Sequence, residues 1–339
     1  MMQRSFFEIK DCYDRLDKAR DPLLALDTMV NWDSLKPLLK SIRFESGVQG
    51  GRPGIDPLIM VKCLVLQSLY NISDESCEYQ INDRLSFKRF LGLDPSQKAP
   101  DAKTIWLYRE RLMHKKLYDQ IFDWFSKEID LAGYAAKEGQ IIDASFVPTN
   151  KPTGKHKKQL EEEIPLSLSQ ASQIDNDATF TKKGNASYHG YKNHIQVDNK
   201  HKIIRKSKVT TASAHDSQEF SNLLDDKKNE DKQVWADSAY RSLENEEILS
   251  KKQLVSQVHE RAYRNKPLSE HQKLNNRIKS SIRVRVEHVF GQMTMAMGGI
   301  TTHVIGITRT TVKVVFKNLA YNMRRFIFLE SKRKRENYI

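Results

Sequence analysis

The sequence predicts an α/β domain built on a mixed sheet and preceded by an all-helical N-terminal region. Three observations predict it. Helix signals fill residues 1–135, strand signals take over at Glu138, and from there the elements run strand, hairpin, helix, strand and then helices. In the first region Asp56-Pro57 is an N-cap with proline at the first helical position. Ile59, Val61, Cys63, Leu64, Leu66 and Leu69 follow it on a helix that is apolar nearly all round and therefore buried. Ser73 caps a second helix toward Phe87 and Leu91, which Gly92 stops; Pro100-Asp101 opens a third with Ile105, Trp106, Tyr108, Leu112 and Leu117. Short helices joined by tight turns suit a helix-turn-helix DNA reader and an ordinary bundle equally.

Residues 139–147 form a β-rich run, and 150–184 is polar, Ser-rich and without period, the composition of a mobile insertion. Tyr191, Asn193, Ile195 and Val197 share one face of the next strand. After a turn at Asp198-Asn199 the chain returns through Ile203, Ile204 and Val209, an antiparallel hairpin. A helix over 217–224 leads to a strand over 233–237 that can lie parallel to the first. Residues 241–250 read as helical, 254–258 as extended and 282–293 as helical. A last amphipathic helix through Val312, Val315, Phe316, Leu319, Met323 and Phe326 covers the sheet. The domains expected are 1–135, 136–330 and a basic, solvated tail at 331–339.

At 339 residues the chain has room for about two domains. Three cysteines with no Cys-x-x-Cys pair exclude a disulfide framework and a zinc ribbon, and read as reduced and intracellular. No apolar run approaches the ~18 residues of a membrane span, and Glu8 and Asp11 spoil a signal-peptide reading. The expectation is a cytoplasmic protein associated with the nucleoid and not with a membrane. The net charge of +13 points to a nucleic-acid partner. That charge is localised. Residues 182–208 carry eight basic residues against Asp198 alone, and 261–285 carry eight against Glu270 alone.

Three carboxylates sit where an apolar residue is expected. Asp143 lies within Ile141-Ile142-Asp143-Ala144-Ser145-Phe146, Asp237 ends Val234-Trp235-Ala236-Asp237, and Glu287 lies within Val284-Arg285-Val286-Glu287-His288-Val289-Phe290. Charges that deep in hydrophobic runs are costly unless paired or metal-bound. On the last of these segments Ile282, Val286, Val289, Phe290 and Met293 define a core face with Glu287 at its border. Carboxylates without sulfur ligands select hard cations such as Mg²⁺ or Mn²⁺. Two such ions ~4 Å apart can activate a water or 3′-hydroxyl and stabilise the leaving oxygen of a phosphoryl transfer. The basic stretches would hold a phosphodiester backbone against them.

With these residues in place the chain resembles the DDE transposases of bacterial insertion sequences, in the insertion-sequence four and five group, whose catalytic domain is RNase H-like. The marks are Ile142-Asp143-Ala144-Ser145, His189-Gly190-Tyr191-Lys192-Asn193-His194, Thr211-Ala212-Ser213-Ala214-His215-Asp216, Ala236-Asp237-Ser238-Ala239-Tyr240 and the segment 283–291 around Glu287. The resemblance implies that Asp143, Asp237 and Glu287 are the catalytic, metal-binding triad and that the helical region recognises terminal inverted repeats. Two positions depart from the family's third motif, where Ser280 and Thr294 replace a tyrosine and a lysine.

The function expected is a transposase that cuts double-stranded DNA at the ends of its own element and joins the freed 3′-hydroxyls to target DNA with two Mg²⁺ or Mn²⁺ ions. Asp143 and Asp237 would bridge or flank the ions, Glu287 would hold the second, and Arg283 would orient Glu287 or meet phosphate. Arg283, Lys192, Lys279, Arg285 and Tyr191 are the DNA-contact candidates, although the strand face of Tyr191 favours core packing. Asp216 reads as a helix cap and Trp235 as core on the strand face opposite Asp237. Concerted cutting of two ends calls for a homodimer on DNA. A structure-selective nuclease and a non-catalytic repressor derived from a transposase are the rival readings.

Overall fold

The computed structural model describes residues 6–42, 54–151, 167, 169, 172–225, 232–263 and 266–337. The chain divides into two compact units, residues 1–132 with 319–339, and residues 133–318.

The first unit is helical: α1 (Phe6–Lys18), α2 (Pro22–Met29), α3 (Lys36–Leu39), α4 (Pro57–Tyr70), α5 (Asp74–Asp83), α6 (Leu85–Leu91), α7 (Ala102–His114) and α8 (Leu117–Leu131). The Asp56 side chain accepts the Leu58 amide at 2.9 Å, which caps α4 as its Asp-Pro start predicts. Met60, Val61, Cys63, Leu64, Val65 and Leu66 are all at most 3% exposed, so α4 is buried all round. Its one lysine, Lys62, is carried inward and offsets its burial with Asp27 at 2.6 Å and the Phe90 carbonyl at 2.9 Å. The helix predicted from Ser73 to Leu91 is broken in two. Arg84 is extended (φ −102, ψ 117), which frees Phe87, Phe90 and Leu91 on α6 to turn inward. Arg109 of α7 grips Asp74 of α5 through both guanidinium nitrogens, at 2.8 and 2.5 Å, and ties these helices together.

The second unit is built on a six-stranded sheet: β1 (Gln140–Pro148), β2 (Thr179–Lys183), β3 (Ala186–Asp198), β4 (Ile204–Thr211), β5 (Gln233–Trp235) and β6 (Val255–Ser256). Its helices are α9 (Phe220–Leu223), α10 (Leu243–Lys251) and α11 (Glu270–Met297), and α12 (Ile307–Glu336) belongs to this unit through Asn318. β3 pairs antiparallel with β1 on one side and with β2 and then β4 on the other. β1 pairs parallel with β5, and β5 with β6. Antiparallel hairpin first and parallel strands after make this a mixed sheet flanked by helices. Gly190, at the point on β3 where β2 hands over to β4, has φ +141, and a Cβ there would stand 2.3 Å from the Val147 carbonyl oxygen. No other residue fits.

One sheet face carries Ile142, Val234 and Ala236 against Phe220, Leu223, Leu249 and Val258. Burying each large aliphatic side chain there contributes about 1.5–3 kcal/mol, so the register is fixed and the alternate residues Ile141, Asp143 and Trp235 must take the other face. Trp235 therefore shares the face of Asp237, two residues on, and not the opposite one. On that second face Val147, Tyr191 and Val209 pack against Val314 of α12.

Several expected boundaries move. Of the insertion expected over 150–184, residues 152–166, 168, 170 and 171 lie outside the described residues, and its last part is strand β2. The first unit ends at Ala132, not 135. The expected solvated tail is helical through Glu336, and Arg333 donates to the Ala132 carbonyl at 3.0 Å, so α12 from Leu319 onward belongs to the helical unit. Among the described residues no helix is long and apolar enough to cross a membrane.

Candidate active site

The carboxylates come from within one strand, from the turn after another, and from a helix. β1 and β5 run parallel with Gln140 opposite Val234 and Ile141 opposite Trp235. Two residues further in the same register, Asp143 stands level with Asp237. Asp237 leaves β5 at φ −75, ψ 175, and its Oδ1 accepts the Ala239 amide at 2.8 Å, which caps the short turn Ser238–Tyr240. Asp143 Oδ1 accepts the amide of Ala144 at 2.8 Å.

Glu287 is delivered by α11. Ser269 and Gln272 start that helix with a capping box, and Val286, Val289 and Met293 bury its inner stripe. Arg283, one turn before Glu287, lies between the acids. Its Nη1 donates to Asp143 Oδ2 at 2.9 Å and its Nη2 to Glu287 Oε1 at 2.8 Å. The Asp143 side chain is 16% exposed and that of Glu287 52%, so the guanidinium compensates a largely buried charge at one end and a wet one at the other. Its Nε is buried with no partner among the described residues.

Two neighbours register the field of the site. Burial pushes the Tyr240 phenol well above its ordinary pKa, and the Asp143, Asp216 and Asp237 carboxylates push it further. Burial and then the Arg283 charge push the His259 imidazole below its ordinary value, against the pull of Asp237.

Among the described residues no three acidic, histidine or cysteine side chains are arranged as a metal cage. The all-oxygen donor set nonetheless fits a hard cation. The orphaned Arg283 Nε marks a guanidinium seated for its charge and not for a full set of hydrogen bonds.

Residues 134–323 match the family model described as Transposase DDE domain, and residues 10–111 match the one described as Transposase domain (DUF772). The chain belongs to the DDE transposase family. A cryo-EM structure of a piggyBac transposase synaptic complex with hairpin DNA is similar at 11% identity and a TM-score of 0.49, covering 92% of this chain and 76% of that one.

In this transposase the expected DNA contacts rearrange. Tyr191 is fully buried, and its hydroxyl donates to Asp175 at 2.7 Å, so it packs in the core and stacks on no base. Lys192 is also buried, giving its ammonium to the Ala214 carbonyl at 2.7 Å and to Asp216 at 2.8 Å. A phosphate contact from Lys192 would first have to break that pair. Asp216 is accordingly an ion-pair partner, and His215 takes the capping position. Lys279 donates to the Val258 carbonyl at 2.9 Å, and Arg285 holds Asn199 at 2.9 and 2.7 Å, fastening α11 to the turn after β3. Thr294 spends its hydroxyl on the Phe290 carbonyl of its own helix at 3.0 Å. The cations left exposed in the two basic stretches include Lys182, Lys208, Arg261, Lys266 and Arg277.

The sequence reading quoted Tyr240 as the last residue of the Asp237 motif without giving it a role, and it missed His259. His259 carried no signal, because only the pairing of β5 with the two-residue β6 brings it to the site.

Proposed function

We propose that this transposase binds the terminal inverted repeats of its own insertion sequence, cuts at their ends and joins the freed 3′-hydroxyls to target DNA. Asp143 and Asp237 would hold a divalent cation, Mg²⁺ or Mn²⁺, and Glu287 would hold a second. Bound there, such ions supply Lewis-acid activation of the attacking hydroxyl and charge stabilisation of the leaving oxygen. The observation that carries this reading is the single guanidinium that links Asp143 to Glu287 while Asp237 stands level with Asp143. A positive charge already occupies the place between two of the acids, and a divalent ion would take it over. Arg283, displaced, remains on the same rim and can meet a phosphate. Lys182, Lys208, Arg261, Lys266 and Arg277 are the cations open to the DNA backbone. Two ends cut in concert call for two copies of the chain, acting on DNA in the cytoplasm.

Supplied with pre-cleaved ends bearing free 3′-hydroxyls, Mg²⁺ and a target plasmid, the protein is expected to give covalently joined products. Ends left unjoined while intact ends are still cut would favour a structure-selective nuclease. Binding without either reaction would favour a repressor.

A further inference from the structure

Asp143, within β1, and Asp237, two residues past the end of β5, fall level in the register of two adjacent parallel strands, and a third strand continues the row. β5 pairs with β6 with Gln233 opposite Val255 and Val234 opposite Ser256. The ladder runs on past the strands, with the Gln257 amide on the Val234 carbonyl at 2.9 Å and the His259 amide on the Ala236 carbonyl at 3.1 Å. That register sets His259 level with Asp237, as Asp237 is level with Asp143, and period-two alternation puts all three on one sheet face.

Helix α11 lies along this row. Ser280, Arg283 and Glu287, at i, i+3 and i+7, form one stripe. Arg283 reaches Asp143, and Ser280 Oγ stands 3.4 Å from His259 Nε2. The other ring nitrogen, Nδ1, has no partner among the described residues and is not fully buried.

We propose that His259 is a further DNA-contact residue of the active site, whose imidazole, steadied by Ser280, donates a hydrogen bond from Nδ1 to a phosphodiester oxygen adjoining the phosphate that is cut. This rests on the transposase reading above. Two strand spacings put His259 about 10 Å from Asp143, too far to share an ion with it. They leave it within reach of the sugar-phosphate chain beside a phosphate seated between the two aspartates. Burial and the Arg283 charge disfavour protonation of the ring. An uncharged donor fixes position and register and releases no counterion.

The test uses a duplex carrying the terminal repeat of the protein's own element. His259→Ala is expected to weaken end binding about tenfold, the loss of one hydrogen bond to a charged group, with the slope of log affinity against log salt unchanged. Cutting at subsaturating DNA falls in step, and more DNA recovers it. His259→Gln, which keeps an N–H donor, regains most of the affinity. Phosphates near the cut are then replaced one at a time by uncharged methylphosphonates. One position costs the wild-type protein about tenfold more than it costs His259→Ala, for the same reason.

Unchanged affinity in His259→Ala, a glutamine variant as weak as the alanine one, or a methylphosphonate penalty equal in both proteins at every position would each overturn the proposal. So would a cutting defect that excess DNA does not recover, since the ring would then act on the reacting atoms. Asp237→Asn is run alongside: if it still cuts, the site assignment itself fails, whatever His259 does.

Discussion

Asp237→Asn is expected to lower cleavage by on the order of a thousandfold or more, about 4 kcal/mol of transition-state stabilisation, while end binding stays within about twofold. The substitution is close to isosteric. An asparagine Oδ1 can still accept the Ala239 amide that Asp237 Oδ1 accepts at 2.8 Å, so the turn Ser238–Tyr240 keeps its cap. What disappears is one negative charge beside Asp143, and with it half of the carboxylate pair that would hold an ion. No exposed cation of the basic stretches is touched, so backbone affinity has no reason to change. Cleavage assays and gel-shift titrations on the same duplex check both halves. Loss of binding together with cleavage would mean that Asp237 supports the fold and not the chemistry. Asp143→Asn is a less clean variant, because Asp143 also anchors Arg283.

Arg283→Ala is expected to destabilise the metal-free protein by about 1–3 kcal/mol and to make it more responsive to Mn²⁺ than the wild type. The cost arises because Asp143, whose side chain is 16% exposed, loses its countercharge. It stays below the ~3–5 kcal/mol of a fully buried pair because Glu287 is half-exposed and screened by water. In the wild type an incoming ion has to displace the guanidinium from two carboxylates, and in the variant it meets them uncovered. An ion present at 100 times its dissociation constant stabilises by about 2.7 kcal/mol. The thermal midpoint should therefore rise further with Mn²⁺ in Arg283→Ala than in the wild type. Equal shifts in the two proteins would show that Arg283 does not stand in an ion's place.

Much of this candidate site's geometry was legible in the sequence, and for physical reasons. Asp143 and Asp237 stand out because a carboxylate inside Ile-Ile-x-Ala or Val-Trp-Ala-x needs a reason to be there. The Arg283–Glu287 contact follows from i, i+4 helical spacing. That Arg283 also reaches Asp143, 140 residues away, depends on how α11 crosses the sheet, and no local pattern carries that. Tyr191 shows the same divide: its alternation with Asn193, Ile195 and Val197 predicted one face, and that face is buried.

Lys192 misled because the opposite face of β3 is buried too. His194 and Gln196 beside it are fully buried, and the chain at Ala214–Asp216 closes over Lys192. A strand covered on both sides leaves no wet face for a lysine to use. The break at Arg84 was invisible for another reason, since nothing in Asp83-Arg84-Leu85 forbids a helix. It is the burial of Phe87, Phe90 and Leu91 that makes an extended residue worth its cost.

Anomalous diffraction at the manganese edge, from crystals of the full chain grown with Mn²⁺ and end DNA, would locate the ions outright. A peak bonded by Asp143 and Asp237 together, at roughly 2.0–2.6 Å from their oxygens, with Arg283 moved off Asp143, is the predicted result. Manganese bound away from these two aspartates, or an Arg283 still bridging Asp143 and Glu287 with DNA in place, would contradict it.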